Sequence, residues 1–289
     1  MRSKSRGLEP VMAGNPRILF ITGTDTGVGK TVLTGLLLSH LRQTSCPALA
    51  LKPFCSGGRA DAELLHALQR GDLALDEINP FHFTEPLAPL VAARLHRRKI
   101  PMSSVLASIG AVATRLASPE FKVQSSKFKV QSSTPVLLIE GAGGLVSPLG
   151  EPAFSRITYH ASRPYTALDL ITALSKPPPA SRFTLHASRF TLHVIVVAPN
   201  RLGTINHTLL TLDKLRQIGI PDPVLVLNDL LPERHAGLDS RYNGALLSEM
   251  LRPLRIVRLP YLGKVSTARE IQNRAKKLRK PLRKILKTL

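Results

Sequence analysis

Tryptophan is absent from this 289-residue chain, and aromatic residues make up only 4% of it. That scarcity decides nothing by itself, but other shortages do. There are two cysteines, Cys46 and Cys55. Two are too few for a disulfide scaffold, and both read as packed thiols of a reducing compartment. No run approaches the roughly 18 apolar residues that a membrane-spanning helix needs, and residues 1–15 hold no apolar segment of a secretion signal. A cytoplasmic protein with no membrane partner is expected, with Met12 a second candidate start.

Acidic residues are also few, 19 against 40 lysines and arginines, for a formal charge of +21. Such an excess raises an anionic partner. Much of it lies beyond residue 263, where Lys276, Lys277, Arg279, Lys280, Arg283, Lys284 and Lys287 crowd together with Glu270 the only acid. No nucleic-acid reader motif and no aromatic interleaving accompany the charge. Residues 263–289 therefore read as a solvated basic tail, and nucleic acid is not expected as a partner.

What the chain does have is 43% apolar residues, enough for a substantial core, and one decisive stretch from Ile18 to Leu38. An apolar run ends at Thr22, a turn follows over Gly23-Thr24-Asp25-Thr26-Gly27-Val28-Gly29-Lys30-Thr31, and a leucine-rich helix pattern starts at Val32. Strand, glycine turn and helix in that order make a phosphate cradle. Glycines let successive N–H groups converge on an anion, and the helix N-terminus adds partial positive charge. Lys30 is placed to reach the β and γ phosphates of a nucleotide, and the Thr31 hydroxyl to take a place on Mg²⁺. The loop is a variant: strict spacing wants glycine where Thr24 stands, and the glycine comes one place earlier. Partitioning ATPases with a related loop carry a second lysine where this chain has Asp25, which argues against that group.

Further strands are expected over Ala48–Leu51, Val136–Ile139, Val194–Ala198, Val224–Leu227 and Arg255–Leu259. Helices are expected over Ala60–Gln69, Pro86–Arg98, Met102–Leu116 and Thr204–Gln217. Alternation of this kind predicts an α/β fold: a mostly parallel sheet with helices on both faces, P-loop NTPase-like, gathering ligands at the strands' carboxyl ends. Residues 1–15 read as an extension and 16–262 as a single domain. Seven-residue repeats interrupt it at about 118–134, 155–165 and 177–193, read as low-complexity loop insertions. The histidines at 160, 186 and 193 recur with the repeats and are not taken as metal ligands.

Polar residues collect at the expected strand ends. Thr31, Asp61 and Glu140 offer hard oxygen ligands for Mg²⁺ bound with nucleotide phosphates. Lys30 and Lys52 offer positive charge to a transferring phosphoryl group.

These residues stand within a longer series: GTDTGVGKT over 23–31, Lys52-Pro53 with Ser56-Gly57, Asp61-Ala62, Asn79-Pro80-Phe81, EGAGG over 140–144, Gly203-Thr204-Ile205-Asn206-His207 and Asn228-Asp229. Taken in order, the chain resembles the dethiobiotin synthetase family over nearly all of 16–262. The resemblance implies an ATP- and Mg²⁺-dependent ligase of biotin biosynthesis that joins CO₂ to 7,8-diaminononanoate through a phosphorylated carbamate. It implies catalytic Lys30 and Lys52, with nucleotide held by Gly27, Val28, Gly29, Lys30, Thr31 and Val32. The adenine side falls to Asn228 and to Pro260, Tyr261 and Leu262, and magnesium to Thr31, Asp61 and Glu140. Substrate falls to Thr26, Lys52, Ser56, Gly143 and Gly144, with Asn206 reaching a partner's substrate tail in a homodimer. Two other readings stay open. One is a related P-loop amide ligase, which usually adds a glutaminase domain with a nucleophilic cysteine, although no cysteine follows Leu262. The other is a degenerate nucleotide-binding protein without turnover.

Overall fold

The computed structural model describes residues 16–118, 121, 134–151, 163–175 and 190–287. The extension over 1–15 and most of the repeats lie outside the described residues. The chain opens with β1 (Arg17–Gly23), buried from Ile18 onward, and passes through the glycine turn to α1 (Lys30–Gln43). There follow β2 (Ala48–Leu51), β3 (Phe54–Ser56), α2 (Ala60–Gln69), α3 (Leu75–Ile78), β4 (Phe81–Phe83), α4 (Pro89–Leu95) and α5 (Met102–Ala117). Next come β5 (Val136–Glu140), β6 (Pro148–Gly150), β7 (Tyr165–Thr166), α6 (Ala167–Ser175), β8 (Thr191–Pro199) and α7 (Thr204–Gln217). The last elements are β9 (Val224–Asn228), α8 (Leu238–Met250), β10 (Ile256–Leu259), α9 (Ala268–Lys277) and α10 (Arg279–Leu286).

Six strands form one sheet in the order β10-β9-β8-β1-β5-β2, with every pairing parallel. Runs such as Val136-Leu137-Leu138-Ile139 and Val224-Leu225-Val226-Leu227 carry no alternation because both sheet faces are covered. Right-handed crossovers put α1 on one face, joined there by α2, α9 and α10, and send the connections through α5, α7 and α8 across the other. Two small sheets, β3 with β4 and β6 with β7, flank the main one.

Register decides what meets at the carboxyl edge. Ile21 pairs with Glu140 and Leu51 with Ile139, so Lys52, one residue on, arrives beside Glu140. Pro199 and Leu259 both pair with Asn228. The chain leaves β1 toward β2 on one side and later builds β8, β9 and β10 on the other, so a crevice opens at the end of β1.

Several expectations need correction. The basic stretch after 263 is no solvated tail. Thr267 and Glu270 form a reciprocal capping box that starts α9, and Ile271, Ala275, Leu282 and Ile285 are fully buried. Beneath α10, His40 of α1 is buried, and burial followed by Arg283 and Arg279 lowers its pKa. The block assigned to an insertion ending at 193 gives its last residues to β8, where Leu192 and His193 pair with Ile18 and Leu19. Helix α4 is shorter than expected, because the segment before it is pinned by Gly57 N–H donating to Glu85 O, and Pro89 then takes the first helical turn.

Candidate active site

The phosphate loop closes on itself. Gly27 (φ 70°) and Gly29 (φ 98°) occupy the left-handed region, and Gly29 caps α1 without any side-chain hydrogen bond to its first turn. The first turn of α1 thus keeps N–H groups with no side-chain cap, as an anion site at a helix start requires. Lys30 folds back over the loop, its Nζ donating to Asp25 O at 2.7 Å. Burial lowers its pKa to about 8, and nearby Lys52 pushes the same way against the opposing pull of Glu140. Behind the loop, Asn228 Nδ2 at the end of β9 donates to Val28 O at 2.9 Å.

Lys52 lies at the centre of the second cluster. Its Nζ is bonded to Glu140 Oε1 and lies 2.8 Å from Asp61 Oδ2. The Thr31 hydroxyl donates to the same Glu140 Oε1 at 2.6 Å. Burial alone would lower the Lys52 pKa, yet the two carboxylates outweigh it and raise it. Lys52 is therefore held as an ammonium. Burial likewise opposes ionisation of Asp61, and Lys52 and Thr31 reverse that and lower its pKa. Cys55, also buried here, has its thiol pushed up to about 11 by burial, which leaves it inert.

This arrangement fits a magnesium ion. Glu140 Oε2 is buried with no hydrogen-bond partner, and an orphaned carboxylate oxygen beside a hydroxyl and a second carboxylate is a hard, incomplete oxygen shell. Among the described residues no group of three His, Cys, Asp or Glu forms a metal cage. Magnesium needs none, since it binds one or two carboxylates and takes its other ligands from water and phosphates.

Thr26, Gly143 and Gly144 also converge. A methyl on Gly143 (φ 65°) would stand 3.8 Å from Thr26 Oγ1, and one on Gly144 3.3 Å from Thr24 O. Ser147 Oγ accepts from Gly144 N–H at 3.0 Å and holds this turn in place. Ser56 ends β3, half-buried, while Asn206 stands exposed on the first turn of α7, outside the Lys52 cluster. Pro260 and Tyr261 line a cleft of about 460 Å³ with Asp229, Leu231, Pro232, Glu233 and Arg258. Leu262, next in the chain, is buried.

Sequence reasoning missed the supports. Asn79, fully buried, donates from Nδ2 to Lys52 O at 2.8 Å and accepts from Arg59 Nε at 3.2 Å, and Arg59 caps α2, which carries Asp61. Thus one amide ties Lys52 to the helix of its partner. Its signal was only its place in the Asn79-Pro80-Phe81 motif. Arg258, paired with Asp229 at 2.7 Å, was detectable as the exposed residue between two buried ones in β10.

A parallel sheet with a glycine cradle, an embedded lysine and magnesium-type oxygens at its carboxyl edge defines a P-loop nucleotide-dependent protein. The AAA domain family matches residues 17–155 and 183–272. An ATP-dependent dethiobiotin synthetase of an Anaeromyxobacter strain is 36% identical over 216 residues, covering 73% of this chain and 76% of that protein. The enzyme of the same name from Bacillus velezensis is 31% identical over 256 residues, 87% of this chain and 89% of that one. McdA of Cyanothece in complex with ATP aligns over 95% of this chain and 96% of its own, at a TM-score of 0.43 and 15% identity. The chain belongs to the dethiobiotin synthetase family.

Proposed function

We propose that this protein makes dethiobiotin from 7,8-diaminononanoate, CO₂ and ATP in biotin biosynthesis. One amine adds to CO₂ to give a carbamate. A carbamate oxygen takes the γ-phosphoryl group of ATP and ADP leaves. The second amine then attacks the carbonyl carbon, expels phosphate and closes the cyclic urea, with both amine protons passing to solvent or phosphate.

The observation that carries this reading is Lys52, buried between Glu140 and Asp61 and held protonated. A permanent ammonium cannot accept the amine proton. It can hold a carbamate oxygen and share the charge that builds on the transferred phosphoryl group, with Lys30 on the other side. Thr31, Asp61 and Glu140 would hold Mg²⁺, which when bound neutralises charge on the β and γ phosphates. Gly27, Val28, Gly29 and Val32 belong to the phosphate cradle. Asn228, Pro260, Tyr261 and Leu262 belong to the adenine side, supported by the cleft beside them. Thr26, Ser56, Gly143 and Gly144 contact the diamine or its carbamate. A cytoplasmic homodimer is part of the proposal, with Asn206 serving the partner's site. Leu202 and Leu210, 84% and 60% exposed on either side of Asn206, support it.

The test is ADP release with ATP, Mg²⁺, bicarbonate and 7,8-diaminononanoate, against the same mixture without diamine. Diamine-dependent release with dethiobiotin as product is the expected result. Nucleotide binding without it would remove this reading.

A further inference from the structure

The charge excess acquires a shape once α9 and α10 are seen to be docked. Ile271 and Ala275 of α9 and Leu282 and Ile285 of α10 are buried beneath them. With the apolar side turned inward against α1, α2 and β10, the outward side is left to Lys276, Lys277, Arg279, Lys280, Arg283 and Lys284, all exposed. Among the described residues none of the six is held in an ion pair. A loose tail would spread such charge through solvent. A docked helix pair fixes it on one rigid surface.

Three partners suit a fixed cationic surface: an anionic membrane, a single strand of nucleic acid, or a duplex. Membrane insertion needs an apolar face to enter the bilayer, and here that face is already in the protein core. Among the described residues, no large apolar side chain of α9 or α10 is exposed. Single strands are gripped by aromatic stacking, and neither helix contains an aromatic residue. What remains is backbone contact. Two helices of ten and eight residues, at about 1.5 Å rise per residue, run about 15 Å and about 12 Å, together long enough to meet several phosphates of a duplex.

We infer that the outer face of α9 and α10 is a sequence-independent binding surface for the phosphate backbone of duplex nucleic acid. This reverses the expectation from composition that nucleic acid is not a partner, for phosphate contacts alone. Base-specific recognition is still missing, and only the phosphate-directed part of the interaction is assigned. Because the buried residues, not the basic ones, hold the helices in place, the surface can be neutralised without unfolding it.

The experiment uses the full chain and a labelled random-sequence 30-base-pair DNA duplex, with anisotropy read over about 50–200 mM KCl. Binding should weaken with a log–log salt slope near −4, the value for four or five phosphate contacts. The combined variant Lys276→Gln, Lys277→Gln, Lys280→Gln and Lys284→Gln should bind at least tenfold more weakly, with a slope reduced by two units or more. Its ATP-dependent turnover and melting temperature should not change. A control removes equal charge elsewhere, at the exposed Arg97, Arg216, Arg241 and Arg252, each to Gln, and should bind like the parent. The proposal is overturned by absence of duplex binding at 50 mM salt, or by equal loss in the control, which would make net charge the cause. Tighter binding to vesicles with 30% phosphatidylserine than to the duplex would overturn it too.

Discussion

Asn228 stands so close behind Gly29 that a methyl group on Gly29 would collide with its Nδ2. The glycine is needed twice, once for its φ of 98° and once for this approach. Gly29→Ala should lose about 1–3 kcal/mol of stability through backbone strain alone and bind nucleotide at least tenfold more weakly. Adding Asn228→Ala should restore part of the stability and none of the binding. Thermal melts and ATP titrations of the single and double variants check both parts.

Glu140 serves Lys52 and Thr31 through one oxygen and leaves the other unpartnered. Glu140→Gln keeps the shape and removes the charge. We expect turnover to fall on the order of 10²-fold, with Mg²⁺ no longer tightening nucleotide binding. Stability should fall by about 1–3 kcal/mol, below the usual cost of breaking a buried pair because Asp61 still faces Lys52. Unchanged magnesium dependence would remove Glu140 from the metal set.

Lys30 titrates near pH 8 in the folded chain against 10.5 when unfolded. Between those values the unfolded chain holds the extra proton, so the Lys30 contribution to stability rises with pH across that window. Nucleotide binding runs the other way, because phosphates require the ammonium. ATP affinity should weaken as pH rises through 8, and binding at pH 8.5 should take up protons from the buffer. Calorimetry in buffers of different ionisation enthalpy measures that uptake, and Lys30→Met should abolish it.

Asn79→Asp keeps the acceptor for Arg59 and loses the donor to Lys52 O. It should cost about 1–3 kcal/mol for the unsatisfied carbonyl and lower kcat about tenfold, with the KM for ATP near the parent's. A variant that alters stability alone would make Asn79 a packing residue.

Leu282→Ala on α10 should destabilise the protein by about 2–4 kcal/mol, while Lys280→Gln on its outer side stays within about 0.5 kcal/mol. Urea denaturation distinguishes a docked helix from an appendage.

Legibility followed locality. The phosphate loop could be read from the sequence because its glycines, Lys30 and Thr31 are adjacent and each has a separate physical reason. Lys52 and Glu140 were visible because each ends a wholly apolar strand, although only the β1, β2 and β5 register shows that they touch. Asn79 was not readable as a support, since its work is done by bonds to the Lys52 carbonyl, 27 residues away, and to the Arg59 side chain, 20 residues away. The three-residue strands β3, β4 and β6 are too short to show a period. In α9 and α10 the apolar residues do recur every three or four positions, but the surrounding lysines and arginines dominated the composition and suggested solvent.

Helix α1 rests on α9 and α10, so the element that begins at the phosphate loop is braced by helices that follow every strand of the sheet in chain order. A nascent chain can pair β1 with β5 and β8 and still lack the support behind that loop. Nucleotide capture therefore waits on α9 and α10, and a chain cut before α9 should be mostly folded yet deaf to ATP.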